Sequence, residues 1–90
     1  MWTVLEHKQL EKQLRKTPRQ VQVNYLNWRH IMELQGPEGL HHIKGFHDEA
    51  LKGEWFGFRS SRLNLKWRVI YKLEKKACVV YVLEVNAHAY

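Results

Sequence analysis

From Trp67 to Leu73 the chain alternates: Trp67, Val69, Tyr71 and Leu73 are apolar or aromatic, and Arg68, Ile70 and Lys72 lie between them. A short charged turn, Glu74-Lys75-Lys76, leads into a near-continuous apolar run from Ala77 to Val85. Period-two alternation sends successive side chains to opposite faces of a sheet. The first set should therefore meet a covering layer, leaving Arg68, Ile70 and Lys72 on the wetter face. The continuous run suits an interior strand, and the short connection favours antiparallel pairing. Glu54 to Ser60 reads as one further strand, and Met1 to Leu5 as another, short one.

A small sheet needs helices to cover its apolar face. Glu6 to Lys16 carries Leu10 and Leu14 four apart among charged helix formers. Thr17-Pro18 reads as an N-cap followed by a proline at the first helical position. The next segment has an apolar stripe at Val21, Tyr25, Trp28 and Met32, and Gly36-Pro37 ends it. The order is β-α-α-β-β-β. It predicts an α+β domain with an antiparallel-rich sheet of about four strands and an N-terminal helical hairpin packed on one face. Most of Gly36 to Gly53 reads as loop.

Ninety residues with 44% hydrophobic composition make one globular domain, residues 1–90. The single Cys78 excludes an internal disulfide and reads as a small buried hydrophobe in a strand. With no long apolar stretch and no signal-like leader, the cytoplasm is expected and no membrane partner is. The net charge of +6 favours anionic partners, nucleic acid or an acidic protein.

The last strands and the loop before them collect Glu49, Lys52, Arg59, Arg62, Arg68, His88 and Tyr90. Guanidinium groups bind phosphate and stabilise charge developing on its oxygens. A carboxylate and an imidazole can divide general base and general acid work near neutral pH. Such a set suits phosphodiester cleavage in which the neighbouring 2′-hydroxyl attacks phosphorus, a route closed to DNA. His41, His42, His47, Asp48 and Glu49 raise the question of a metal, but their spacing matches no standard ligand pattern. Neither a metal nor a cofactor is expected. A basic strand face is more often simply a solvated surface.

From E-A-L-K-G through W-R-V-I-Y-K to N-A-H-A-Y, the chain resembles the RelE/ParE superfamily of type II toxin–antitoxin toxins, and within it the mRNA interferases of the YoeB, YafQ and RelE kind. The resemblance spans nearly the whole chain and implies a single RelE-like toxin domain. It implies Glu49, just before A-L-K-G, as general base, with His47 substituting for it or assisting it. Arg68 would contact the scissile phosphate, and Arg62, in the R-x-N segment, would be a second catalytic cation. His88 falls at the place of a near-terminal general acid. Tyr90 is similar to the terminal aromatic beside it, although Ala89 intervenes here. Lys52, Arg59 and Lys72, with His47, would bind substrate. The implied partners are a cognate antitoxin and mRNA on the ribosome. Two other readings stay open: a ParE-like toxin that poisons DNA gyrase without nuclease activity, and a non-catalytic RNA-binding domain.

Overall fold

The computed structural model describes residues 1–87; the expectations for His88 and Tyr90 lie outside the described residues. Strands β1 (Thr3–Glu6), β2 (Glu49–Ala50), β3 (Arg59–Arg62), β4 (Arg68–Glu74) and β5 (Val79–Asn86) form one sheet in the order β1-β5-β4-β3-β2. The last four strands pair antiparallel, and β1 lies parallel to β5. Helices α1 (Leu10–Arg15) and α2 (Arg19–Gln35) make the expected hairpin, and a one-turn helix α3 (Pro37–His41) follows. The α+β class is as expected, with one more strand. That strand, β2, is two residues long, below what a sequence pattern can reveal.

The stripe on α2 does what its spacing requires. Val21, Tyr25, Trp28 and Met32 are all at most 1% exposed, and they pack on Val69 and Tyr71 of β4 and Val80, Val82 and Val85 of β5. Tyr25 stacks on Trp28, whose indole meets Tyr71 edge-on at 5.1 Å between centroids. The Trp28 Nε1–H donates to Ser61 Oγ at 3.0 Å, so the largest buried ring also has its polar atom satisfied. Glu6 ties β1 to α2 by accepting from Tyr25 Oη at 2.5 Å and pairing with Arg29 at 2.8 Å. Beyond the end of β1, the Val85 N–H donates to Gln13 Oε1 at 3.1 Å, which joins α1 to the sheet.

Several local expectations change. Thr17 does not cap α2; its hydroxyl donates back to Leu14 O at 2.7 Å and closes α1, and Pro18 takes the N-cap position. The stretch after Gly36 is not all loop, since α3 and a 3₁₀ turn at Lys44–Phe46 occupy much of it. Glu54 to Phe58 is not strand: a second 3₁₀ turn, Gly53–Trp55, precedes β3. Cys78 is exposed in the β4–β5 turn at φ +53°, because the turn extends through it. Ile70, expected on the wet face, is fully buried, and so nearly is Leu51; both lie outside the main cluster.

A bulge in β5 explains how a continuous apolar strand serves both faces. Ile70 pairs with Glu84 but Tyr71 pairs with Val82, so Leu83 is the extra residue. Val80 and Val82 before it and Val85 after it all point to the helices, while Tyr81 and Glu84 turn to the other side.

Gly36 ends α2 with φ +70° and ψ −164°, a region that only glycine occupies readily, and an added Cβ there would lie 2.3 Å from the Trp2 indole nitrogen. Gly36→Ala should therefore lower unfolding free energy by about 1–3 kcal/mol. A urea midpoint equal to wild type would show that neither the backbone nor Trp2 restricts this position.

Candidate functional site

The register of the sheet lays out its open face in rows. Glu84 of β5, Ile70 of β4, Ser60 of β3 and Glu49 of β2 form one row, and Asn86, Arg68 and Arg62 form the next. Paired residues on adjacent strands share a face, and their Cβ atoms stand roughly 5 Å apart. Glu49 and Arg68 are thus brought together from two strands, while Arg62, the cross-strand partner of Arg68, extends its side chain to a cavity lined also by Asn24 and Asn27 of α2. Arg68 Nη1 lies 3.6 Å from Glu49 Oε1 and makes a long bond, 3.4 Å, to Ser60 Oγ. The Arg68 side chain is 22% exposed and that of Glu49 59%, so the pair sits at a partly dry surface open to solvent.

Lys52 shares with Glu49 a depression of roughly 200 Å³ at the β2 end, which Arg68 does not line. Lys72 stands further along β4 on the same face, its Nζ 5.9 Å from the Phe58 ring centroid. There it borders an apolar depression of roughly 190 Å³ with Leu5, Phe58 and Tyr81. Two expected residues lie elsewhere. His47, at φ +43°, faces a hollow beside His41 and Lys44 on the helix side. Arg59 pairs with Tyr71 in the register and so points to the helix face, where Asp48 holds it.

Asp48 is the residue that sequence reasoning undervalued. Its side chain is 2% exposed, and its carboxylate accepts from Arg59 Nε at 3.1 Å, Arg59 Nη2 at 2.8 Å, Ser61 Oγ at 2.7 Å and Tyr71 Oη. His41 Nε2 approaches to 3.4 Å from α3. Burial, then the neighbouring Asp48 charge, pushes the Tyr71 hydroxyl above its ordinary range. Burial works against the Arg59 charge, yet the bonds to Asp48 and Tyr71 prevail and raise it.

Asp48 and Glu49 are consecutive, and extended chain sends them to opposite faces. One carboxylate locks the strand down while the next stands in front of Arg68. Glu84 and Asn86 were also missed. They flank Arg68 on β5, and the Asn86 amide donates to the Glu84 carboxylate. A lone carboxylate inside an otherwise apolar run was the available signal for Glu84. Among the described residues, no three His, Cys, Asp or Glu side chains converge as a metal site. No helix among them is long and apolar enough to cross a membrane.

No protein-family model matches the sequence, and no curated protein does. Solved structures match over nearly the whole chain. A chain of the archaeal RelE–RelB complex from Pyrococcus horikoshii has a TM-score of 0.75 and 28% identity, covering 96% of this chain and 93% of that one. YafQ from Escherichia coli has a TM-score of 0.73 at 17% identity, covering 98% and 94%. The toxin–antitoxin complex RelBE2 from Mycobacterium tuberculosis gives 0.66 at 18%, covering 97% and 98%. The last two likenesses speak to the fold.

Asp48→Asn should cost about 3 kcal/mol of stability, the low end for a broken buried pair because Arg59 remains 26% exposed. Glu49→Gln next to it should change stability by less than about 0.5 kcal/mol. Urea unfolding of both variants tests the division, and equal losses would refute it. Tyr71 gives a pH signature. Its folded pKa is raised, so its contribution is complete below about pH 10 and shrinks above that, by about 1.4 kcal/mol per pH unit. Tyr71→Phe should be less stable at neutral pH and show a shallower alkaline loss, read from urea midpoints between pH 9 and 11.

Proposed function

We propose that this chain is a RelE/ParE superfamily toxin, one half of a type II toxin–antitoxin pair, and that it cleaves mRNA by 2′-hydroxyl attack. The observation that carries this reading is the pairing of Glu49 with Arg68 on the open face of the sheet, 3.6 Å apart, with Arg62 as the cross-strand partner of Arg68. Without substrate Glu49 and Arg68 form a loose ion pair. A scissile phosphate entering the site offers Arg68 a dianionic-like partner in the transition state and frees the Glu49 carboxylate to act.

In the proposed reaction Glu49 takes the proton from the ribose 2′-hydroxyl, and its oxygen attacks the adjacent phosphorus. The bond from phosphorus to the 5′-oxygen breaks as the new one forms. Arg68 and Arg62 neutralise the charge that builds on the non-bridging oxygens. The leaving 5′-oxygen is protonated by a general acid, the role that the family resemblance offers to His88, with Tyr90 beside it. The products are a 2′,3′-cyclic phosphate and a 5′-hydroxyl. Nucleophile and proton carriers come from RNA and side chains, so no cofactor is required. Lys52 and Lys72 extend the cationic track along the strands for neighbouring phosphates. His47 and Arg59 point away from that track and are better suited to holding the scaffold.

RelE is solved with RelB, and RelBE2 is a toxin–antitoxin complex. By analogy this chain pairs with an antitoxin, whose acidic or amphipathic segment would compete with RNA for the same positive surface in the cytoplasm. Delivery of mRNA by the ribosome belongs to the same proposal.

Arg68→Ala should reduce cleavage about 10²–10³-fold while leaving the urea midpoint near wild type, the usual scale for one lost oxyanion-stabilising donor. Cleavage should persist in EDTA and vanish on a substrate with 2′-deoxyribose at the cut. Primer extension on mRNA after induced expression reads the first effect in cells. Gyrase-dependent DNA breaks with intact mRNA would move the protein to the ParE-like reading instead.

A further inference from the structure

The outer face of α2 is apolar where a solvent-facing helix should be charged. At 3.6 residues per turn, Val23, Leu26, His30 and Leu34 fall on one side of the helix, opposite the buried stripe from Val21 to Met32. Val23 is 41%, Leu26 61% and Leu34 53% exposed, and His30 is exposed between them. Their spacing of three, four and four residues is that of a seam between packed helices. In a chain with 27% charged residues, this strip carries none between Arg19 and its end at Leu34. The nearest charges, Arg29 and Glu33, lie on its flank, where Arg29 pairs with both Glu6 and Glu33. Single exposed leucines are ordinary; a continuous uncharged seam along the longest helix marks a contact surface.

Charge along the helical layer says what can cover the strip. The layer is basic where α2 begins: Lys12, Arg15 and Lys16 close α1, and Arg19 opens α2. It is acidic where α2 finishes, with Glu33 in the last turn and Glu38 in α3. Both ends oppose the helix dipole, since the first turn of α2 has no acidic residue and the last has no basic one. Arg19 and Glu38 are exposed and make no ion pair among the described residues. A covering helix that is basic at its start and acidic at its finish, laid antiparallel, would complement both ends at once. α2 itself has that pattern, so a second copy fits across a two-fold axis, where every contact is made twice. Parallel copies would instead stack like charges.

We propose that α2 is the interface of a homodimer, in which the strips from Val23 to Leu34 of two copies pack antiparallel. Val23 of each copy meets Leu34 of the other, Leu26 meets His30, and Arg19 lies beside the other copy's acidic end. One helix pair is at the small end of specific interfaces, so association belongs in the micromolar range. The strip lies on the far side of the helical layer from the sheet, and Glu49 and Arg68 stand on the opposite, open face. Both open faces therefore stay clear in the dimer, and the proposal does not depend on the nuclease reading.

Sedimentation equilibrium of the full chain is the test. The wild-type protein should rise from 10.9 kDa toward twice that mass between about 1 and 300 µM. Leu26→Glu, at an exposed helix position, should fold normally and stay monomeric throughout. Arg19→Glu should weaken association about tenfold, and His30→Leu should tighten it. Orientation is read by oxidative cross-linking of cysteines placed in a Cys78→Ser background, which removes the exposed thiol. Val23→Cys and Leu34→Cys should cross-link when mixed and neither should do so alone. In the antiparallel pair two Val23 positions lie roughly 16 Å apart along the axis, beyond the reach of a disulfide. A wild-type chain that is monomeric at every concentration, a Leu26→Glu variant that still dimerises, or efficient cross-linking of either cysteine variant with itself would each overturn the proposal. A monomer whose Leu26→Glu variant no longer holds a co-expressed antitoxin would give the strip to that partner and overturn it equally.

Discussion

The buried carboxylate of Asp48 is the interaction on which the arrangement of this protein depends. It gathers donors from β3 and β4 and an imidazole from α3, three parts of the chain that do not adjoin Asp48 in sequence. A carboxylate this enclosed is tolerable only with its lone pairs occupied, and here a bidentate arginine, a serine and a tyrosine occupy them. Ser61 extends the network to the Trp28 indole, so the polar cluster and the aromatic core share one joint. Breaking it would uncover a charge and loosen the largest side chain of the core together.

That joint has a consequence on the other side of the sheet. β2 is only two residues long, too short to hold its position by its own ladder. Anchoring Asp48 fixes where Glu49 begins the strand, and the alternation of extended chain then turns Glu49 toward Arg68. Antiparallel register adds Arg62 and Asn86 at the same level. The bulge at Leu83 lets β5 keep valines toward the helices at both ends while Glu84 reaches the open face. Structural and chemical duties are therefore divided between faces, residue by residue, and a slip of one position in β3 would exchange them.

A shared architecture does not by itself fix an activity, so the fold narrows the function without choosing it. The weight falls on particular side chains, above all an arginine paired with an exposed carboxylate. A ligand with acceptor oxygens would take over that pairing. A merely solvated basic face would leave its guanidinium groups in water.

Periodicity in the sequence was enough to determine the helical hairpin, the α2 stripe from Val21 to Met32 and the β4 alternation that separates Val69 and Tyr71 from Arg68 and Lys72. These features are local: 3.6- and two-residue periods decide which face an apolar side chain takes, and burial follows. The candidacy of Glu49, Arg62 and Arg68 came from residue type and family resemblance together. Tertiary structure alone decided that Arg59 faces Asp48, that His47 looks to the helix side, that Ile70 is dry and that Cys78 is not. Each of those depends on strand register, a bulge or the conformation of a short turn. The choices at Arg59 and Ile70 are settled by partners that meet ten or more positions apart, and those at His47 and Cys78 by left-handed turn conformations; no hydrophobic period encodes either.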